Sequence, residues 1–97
     1  MTTKWPTTLV SYHRSDEFTQ DEIPDNLRES HTLKPGVWAM IRVLDGELEY
    51  TDLEADEQSI LDPKHPGFVE PQVAHRVAAN GAVRFYVEFF RDAGGSD

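Results

Sequence analysis

Cysteine is absent from the 97-residue sequence, which excludes disulfides, thiolate metal sites and cysteine nucleophiles. Any metal site has to be built from His, Asp, Glu and water. Basic residues are scarce as well: nine Lys and Arg stand against eighteen Asp and Glu, for a formal net charge of −9. Binding through phosphates needs a Lys/Arg patch, so neither nucleic acid nor an anionic membrane is an expected partner. The acidity reads as a self-repelling, soluble surface, with life in high salt as the sharper alternative. Long apolar runs are missing too. The start, Met1-Thr2-Thr3-Lys4-Trp5-Pro6, has no apolar signal core, and no later run approaches a membrane span, so the expected location is cytoplasmic. There is no Ser-His-acid arrangement, Walker loop or dinucleotide fingerprint, which leaves a metal as the only basis for catalysis.

What is present suits one domain. Hydrophobic residues make up 38% of the chain, enough for a single core at this length. One domain is expected over residues 1–97, with an ordered core from about residue 9 to residue 90 and a mobile tail over 91–97. Leu9 to Arg14 has the β-branched and aromatic character of a first strand. Phe18 to Pro24 reads as irregular. Leu27-Arg28-Glu29-Ser30-His31 reads as a short strand, with a helix over Asp21 to Ser30 as the alternative. Lys34-Pro35-Gly36 is a turn into Val37 to Leu44, a strand apolar on both faces. Asp45-Gly46 then signals a hairpin into Glu47 to Thr51, followed by an acidic loop over Asp52 to Gln58 and a short strand at Ser59 to Leu61. After the Lys64 to Gly67 turn comes Gly67 to Val77, a second hairpin signal at Asn80-Gly81, and the strand Val83 to Phe90. The count is about seven or eight short antiparallel strands, an all-β sandwich or small barrel.

The second hairpin fixes an expected register. A two-residue turn at Asn80-Gly81 pairs Ala79 with Ala82, Val77 with Arg84, His75 with Tyr86 and Val73 with Glu88. His75, Arg84, Tyr86 and Glu88 then share one face, and Glu88 lies diagonal to His75, close enough for both to reach one ion. Arg84 and Tyr86 become candidate pocket-lining residues, joined by Trp38, which is either core or pocket wall. The competing reading makes the apolar stripe Val83, Phe85, Val87 and Phe89 the core face and leaves His75, Tyr86 and Glu88 in water.

Three runs, His31-Thr32-Leu33-Lys34-Pro35-Gly36-Val37-Trp38, Val43-Leu44-Asp45-Gly46-Glu47-Leu48 and Val69-Glu70-Pro71-Gln72-Val73-Ala74-His75-Arg76-Val77, resemble the TehB/YeaR-like domain family, small cupins of tellurite-resistance type. The resemblance extends from about Tyr12 to Phe90. It implies a cupin-like jelly roll, a double-stranded β-helix barrel, with a divalent metal inside. Family members occur alone or as the N-terminal part of a methyltransferase, but a chain of this length without a Gly-rich cofactor loop is not expected to transfer methyl groups itself. His75 sits where the second cupin motif has its histidine, whereas the first-motif slots, near Leu33 to Ala39, hold neither His nor Glu. The resemblance brings in His31 from the strand end. His31, His75 and Glu88, with Glu70 as an optional fourth, would form a two-His, one-carboxylate set for zinc or iron. The expected function is therefore a metal-binding cupin with a small molecule or oxyanion as partner. Whether it is an enzyme is left open, and a homodimer through the Val83/Phe85/Val87/Phe89 face is expected.

Overall fold

The structure, a computed structural model, describes residues 8–29 and 32–92. These form β1 (Leu9–Arg14), β2 (Phe18–Thr19), α1 (Asp25–Glu29), β3 (Val37–Asp52), β4 (Glu57–Leu61), β5 (Gly67–Val69) and β6 (His75–Asp92). All strand pairing is antiparallel, in a six-stranded sheet ordered β1-β6-β3-β4, with β2 against β6 and β5 against β3. The fold is all-β, with one short helix among the described residues. The sheet is open rather than closed into a barrel, because β1 and β4 lie at the ends of its path.

Two long strands replace four expected short ones. β3 spans 16 residues and β6 spans 18, and they pair along nearly their whole length. Neither Asp45-Gly46 nor Asn80-Gly81 reverses the chain. Gly46 pairs with Val83 and Leu48 with Ala79, so Glu47 alone opposes Asn80, Gly81 and Ala82. The extra residues form a bulge, which bends a ladder without ending it. Gly46 and Gly81 hold φ of 82° and 85°, the left-handed conformation that a hairpin turn and a glycine bulge both require. Dipeptide composition therefore cannot separate a turn from a corner. Asn80 Nδ2 donates to Glu47 Oε1 at 2.8 Å, tying the bulge to the strand it faces.

The corner folds the sheet over one core. Ala39, Ile41, Val43 and Leu48 of β3 are buried with Val77, Val83, Phe85 and Val87 of β6, and Leu48 and Phe85 are fully enclosed. Each such burial contributes roughly 1.5–3 kcal/mol relative to exposure. Residues of the opposite parity, Trp38, Met40, Arg42, Tyr86 and Glu88, lie on the outer face, where alternation puts them.

The segment before β3 is helical at Asp25–Glu29 rather than a strand at Leu27 to His31. Pro24 fits the entry to a first turn, where a missing N–H costs nothing, and its carbonyl accepts from Leu27 N–H at 3.0 Å. Asp25 in the first turn and Arg28 in the last complement the helix dipole and are hydrogen-bonded to each other. Leu27 packs on the core. Arg91 and Asp92, expected in the tail, complete β6 against Val10 and Leu9. Residues 93–97 lie outside the described residues.

Candidate functional site

His75 opens β6 and is 3% exposed, the only charged or polar side chain among the buried described residues. Val73 O accepts from its ring at 3.0 Å, and a carbonyl can only accept, so Nδ1 carries the proton. Tyr50 stacks on the ring with centroids 5.7 Å apart and planes at 27°. The Tyr50 hydroxyl is pushed up to about 12, first by burial and then by the negative charges of Asp52 and Glu70. His75 is thus held as a positioned, buried ring inside the fold.

Beside it lies a cavity of about 340 Å³ between the inner face of the sheet and the stretch from Ser15 to Leu33. Ala39 and Ile41 of β3, Val69 of β5, and Val77, Phe85 and Val87 of β6 form the sheet wall. Phe18, Pro24, Leu27 and Leu33 form the opposite wall. Among the described lining residues Ser15 carries the one hydroxyl, and it is engaged: Oγ accepts from Val87 N–H at 2.9 Å and donates to the Asp16 carbonyl at 2.8 Å. None of the described lining side chains is Lys, Arg, Asp or Glu.

The expected residues are scattered. His75 pairs with Asp52 instead of Tyr86, and Glu88 pairs with Met40 instead of Val73. Because β6 runs unbroken into the corner, His75 shares the inner side with Phe85, Val87 and Phe89, while Glu88 takes the outer side. There Arg42 Nε donates to Glu88 Oε1 at 3.0 Å. Partial burial alone would raise the Glu88 carboxyl. Hydrogen bonds from Arg42 and Ser11 and the charges of Arg42 and Arg14 outweigh it and hold the group below its ordinary value. Glu70 follows β5, half-buried, and its charge acts on Tyr50, which stacks on His75. His31 lies outside the described residues. Trp38, Tyr86 and Arg84, expected to line the pocket, do not line this cavity. Tyr86 carries the Arg14 guanidinium 4.0 Å above its ring, Arg84 Nε lies 3.7 Å from Glu17 Oε1, and Trp38 pairs with Phe90. The Val83/Phe85/Val87/Phe89 stripe, the expected homodimer face, packs in the core of the chain. Its parity with His75, counted along an uninterrupted strand, was the signal for the cavity wall.

The TehB-like domain profile matches residues 13–87. Two curated relatives from Haemophilus influenzae strains, both named probable S-adenosyl-L-methionine-dependent methyltransferase TehB, are 36% and 34% identical to this chain. Each match covers 73% of the chain and 27% of the relative, so the chain spans about a quarter of their length. The crystal structure of TehB from Haemophilus influenzae superposes with a TM-score of 0.80 at 32% identity, over 89% of this chain and 32% of that one. A protein from Escherichia coli K12 superposes with a TM-score of 0.82 over 92% of this chain and 96% of its own, and its 18% identity speaks for the fold alone. These findings correct the expected zinc or iron and the metal-binding function built on it. The relatives are named for S-adenosylmethionine, and no cluster of three or more His, Asp or Glu suited to a metal occurs among the described residues. The physical reason is that β6 is one continuous strand, in which His75 and Glu88, thirteen positions apart, fall on opposite faces. With the profile matched over most of its length, the chain belongs to the TehB-like domain family.

Proposed function

We propose that this chain is an accessory domain of S-adenosylmethionine-dependent methyl transfer, and that the cofactor is held by the part of such methyltransferases that this chain does not match. The observation that carries the reading is the family membership of a chain aligned with 27% of relatives named for that reaction. The chemistry of the interior supports the division of labour. S-adenosylmethionine brings a carboxylate, an ammonium and a sulfonium, and burying such groups without partners is strongly unfavourable. Among the described residues, the cavity lining has no carboxylate, ammonium or guanidinium to receive them. The doubled-over sheet is read here as a cupin-like jelly roll whose role is to present a folded β-domain, with its cavity, to the methyltransferase.

Two measurements test this. Calorimetric titration of S-adenosylmethionine into the chain should give no saturable heat. Deleting the matched segment from Haemophilus influenzae TehB should leave its S-adenosylmethionine affinity intact and lower turnover of the acceptor it normally uses. Grafting this chain in its place should restore turnover, followed as S-adenosylhomocysteine release. Stoichiometric cofactor binding by the chain itself, or a folded graft that restores nothing, would overturn the proposal.

A further inference from the structure

We infer that the cavity between the inner sheet face and the Ser15 to Leu33 stretch is a binding site for a neutral, largely apolar small molecule of ring-like shape, and not for an oxyanion. The inference concerns the ligand class of this chain's own cavity and stands apart from the methyl-transfer reading. Its volume of about 340 Å³ falls within the size of small-molecule pockets, roughly 300–1,000 Å³, and far exceeds the gaps a packed core leaves. Apolar walls partly open to solvent leave dispersion contacts unmade, which a ligand of matching chemistry supplies. The walls specify that chemistry. Phe18, Phe85 and Phe89 offer ring faces and edges, Leu27, Leu33 and Ile41 offer aliphatic surface, and among the described residues the only ionisable group at the wall is His75.

Charge decides between ligand classes. An oxyanion needs guanidinium or ammonium donors, or an array of backbone N–H groups, to replace its hydration. The arginines adjacent in sequence to lining residues are placed elsewhere: Arg42 is engaged with Glu88, Arg14 with Tyr86 and Arg84 with Glu17 on the outer face, Arg28 with Asp25 on the helix, and Arg76 is exposed. Ser15 Oγ already accepts from Val87 N–H. A neutral aromatic or alicyclic molecule has no such requirement, and an apolar cavity of this kind favours it by shape and dispersion.

The test uses the neutral fluorophore N-phenyl-1-naphthylamine with the intact chain, and competition by indole, benzoate and inorganic phosphate. One fluorophore should bind per chain, displaced by indole, with benzoate at least about tenfold weaker than indole and phosphate without effect. Ala39→Phe, which fills the cavity from β3, should weaken fluorophore binding at least about tenfold. Should that variant fail to fold, carbon-13 methyl spectra of the unaltered chain give the same answer: indole should shift the Leu27, Leu33, Ile41 and Val87 methyls. Shifts confined to surface groups such as Val10 and Ile60, unaltered binding in folded Ala39→Phe, or phosphate and benzoate competing as well as indole would each overturn the inference. None of these outcomes depends on methyl transfer, so the two readings can fail separately.

Discussion

Replacing Gly46 by alanine is the sharpest perturbation of the corner that sets the whole arrangement. Gly46 holds φ of 82°, and an added Cβ would collide with the Ala82 carbonyl oxygen while lying 3.1 Å from Val83 Cα. Both neighbours are backbone of the facing strand, so a rotamer change cannot relieve the contact. The left-handed conformation alone costs an L residue about 1–2 kcal/mol. Moving β6 away from Gly46 would weaken at least one ladder hydrogen bond, adding about 1 kcal/mol. Together these predict a loss of roughly 3 kcal/mol, which lowers Tm by roughly 10–20 °C in a domain of this size. Gly81 provides the internal control. It sits at the same corner with φ of 85° but nothing lies within 4 Å of its Cβ position, so Gly81→Ala should cost only the conformational part, about 1–2 kcal/mol. Urea unfolding followed by circular dichroism, with m unchanged in both variants, measures the difference. Equal destabilisation of Gly46→Ala and Gly81→Ala would refute the packed corner.

Other perturbations address the core, the outer face and the site. Leu48→Ala, at a fully enclosed position, should cost about 2–5 kcal/mol in the same urea experiment. Tyr50, raised to about 12 in the folded chain, should ionise well after an ordinary tyrosine of value 10.0 in an ultraviolet titration. The folded state then keeps its proton longer than the unfolded state, so this contribution to stability is intact below pH 10 and is lost as pH rises through about 12. Tyr50→Phe should remove that part of the alkaline decline. Glu88 is lowered in the folded chain, so its contribution is present above the ordinary carboxylate value and is lost as pH falls through the folded value. Glu88→Gln should flatten this acid-side slope at a cost of about 1 kcal/mol or less near neutral pH, because Arg42 remains partly solvated.

Periodicity revealed the β character and the two faces of each strand, because a two-residue alternation survives any topology, but it left open which face of Val37 to Val43 and of Val83 to Phe89 is buried. The family was legible in the Glu70 to Val77 run together with His31 to Trp38. Topology was not, since Asn80-Gly81 and Asp45-Gly46 satisfy a hairpin and a bulge equally well. The choice depends on whether the flanking strands find each other or a common third partner. Here residues 75–79 and 83–91 of β6 both pair with β3, a long-range preference that no local window contains. That single ambiguity moved His75 from the Glu88 face to the Phe85 face, and with it turned an expected metal site into an apolar cavity. The helix at Asp25–Glu29, within the Asp21 to Ser30 alternative, ranked behind a strand for a related reason: five residues carry too little periodicity to outweigh the alternation of Leu27, Glu29 and His31.

Cross-strand nuclear Overhauser effects at His75 test the central claim, that β6 runs through the corner and carries this ring into the apolar interior. The account predicts backbone contacts from His75 to Asp52 and from Glu88 to Met40, with the His75 ring protons reporting Tyr50. Backbone contacts from His75 to Tyr86, the register of a hairpin at Asn80-Gly81, would contradict it.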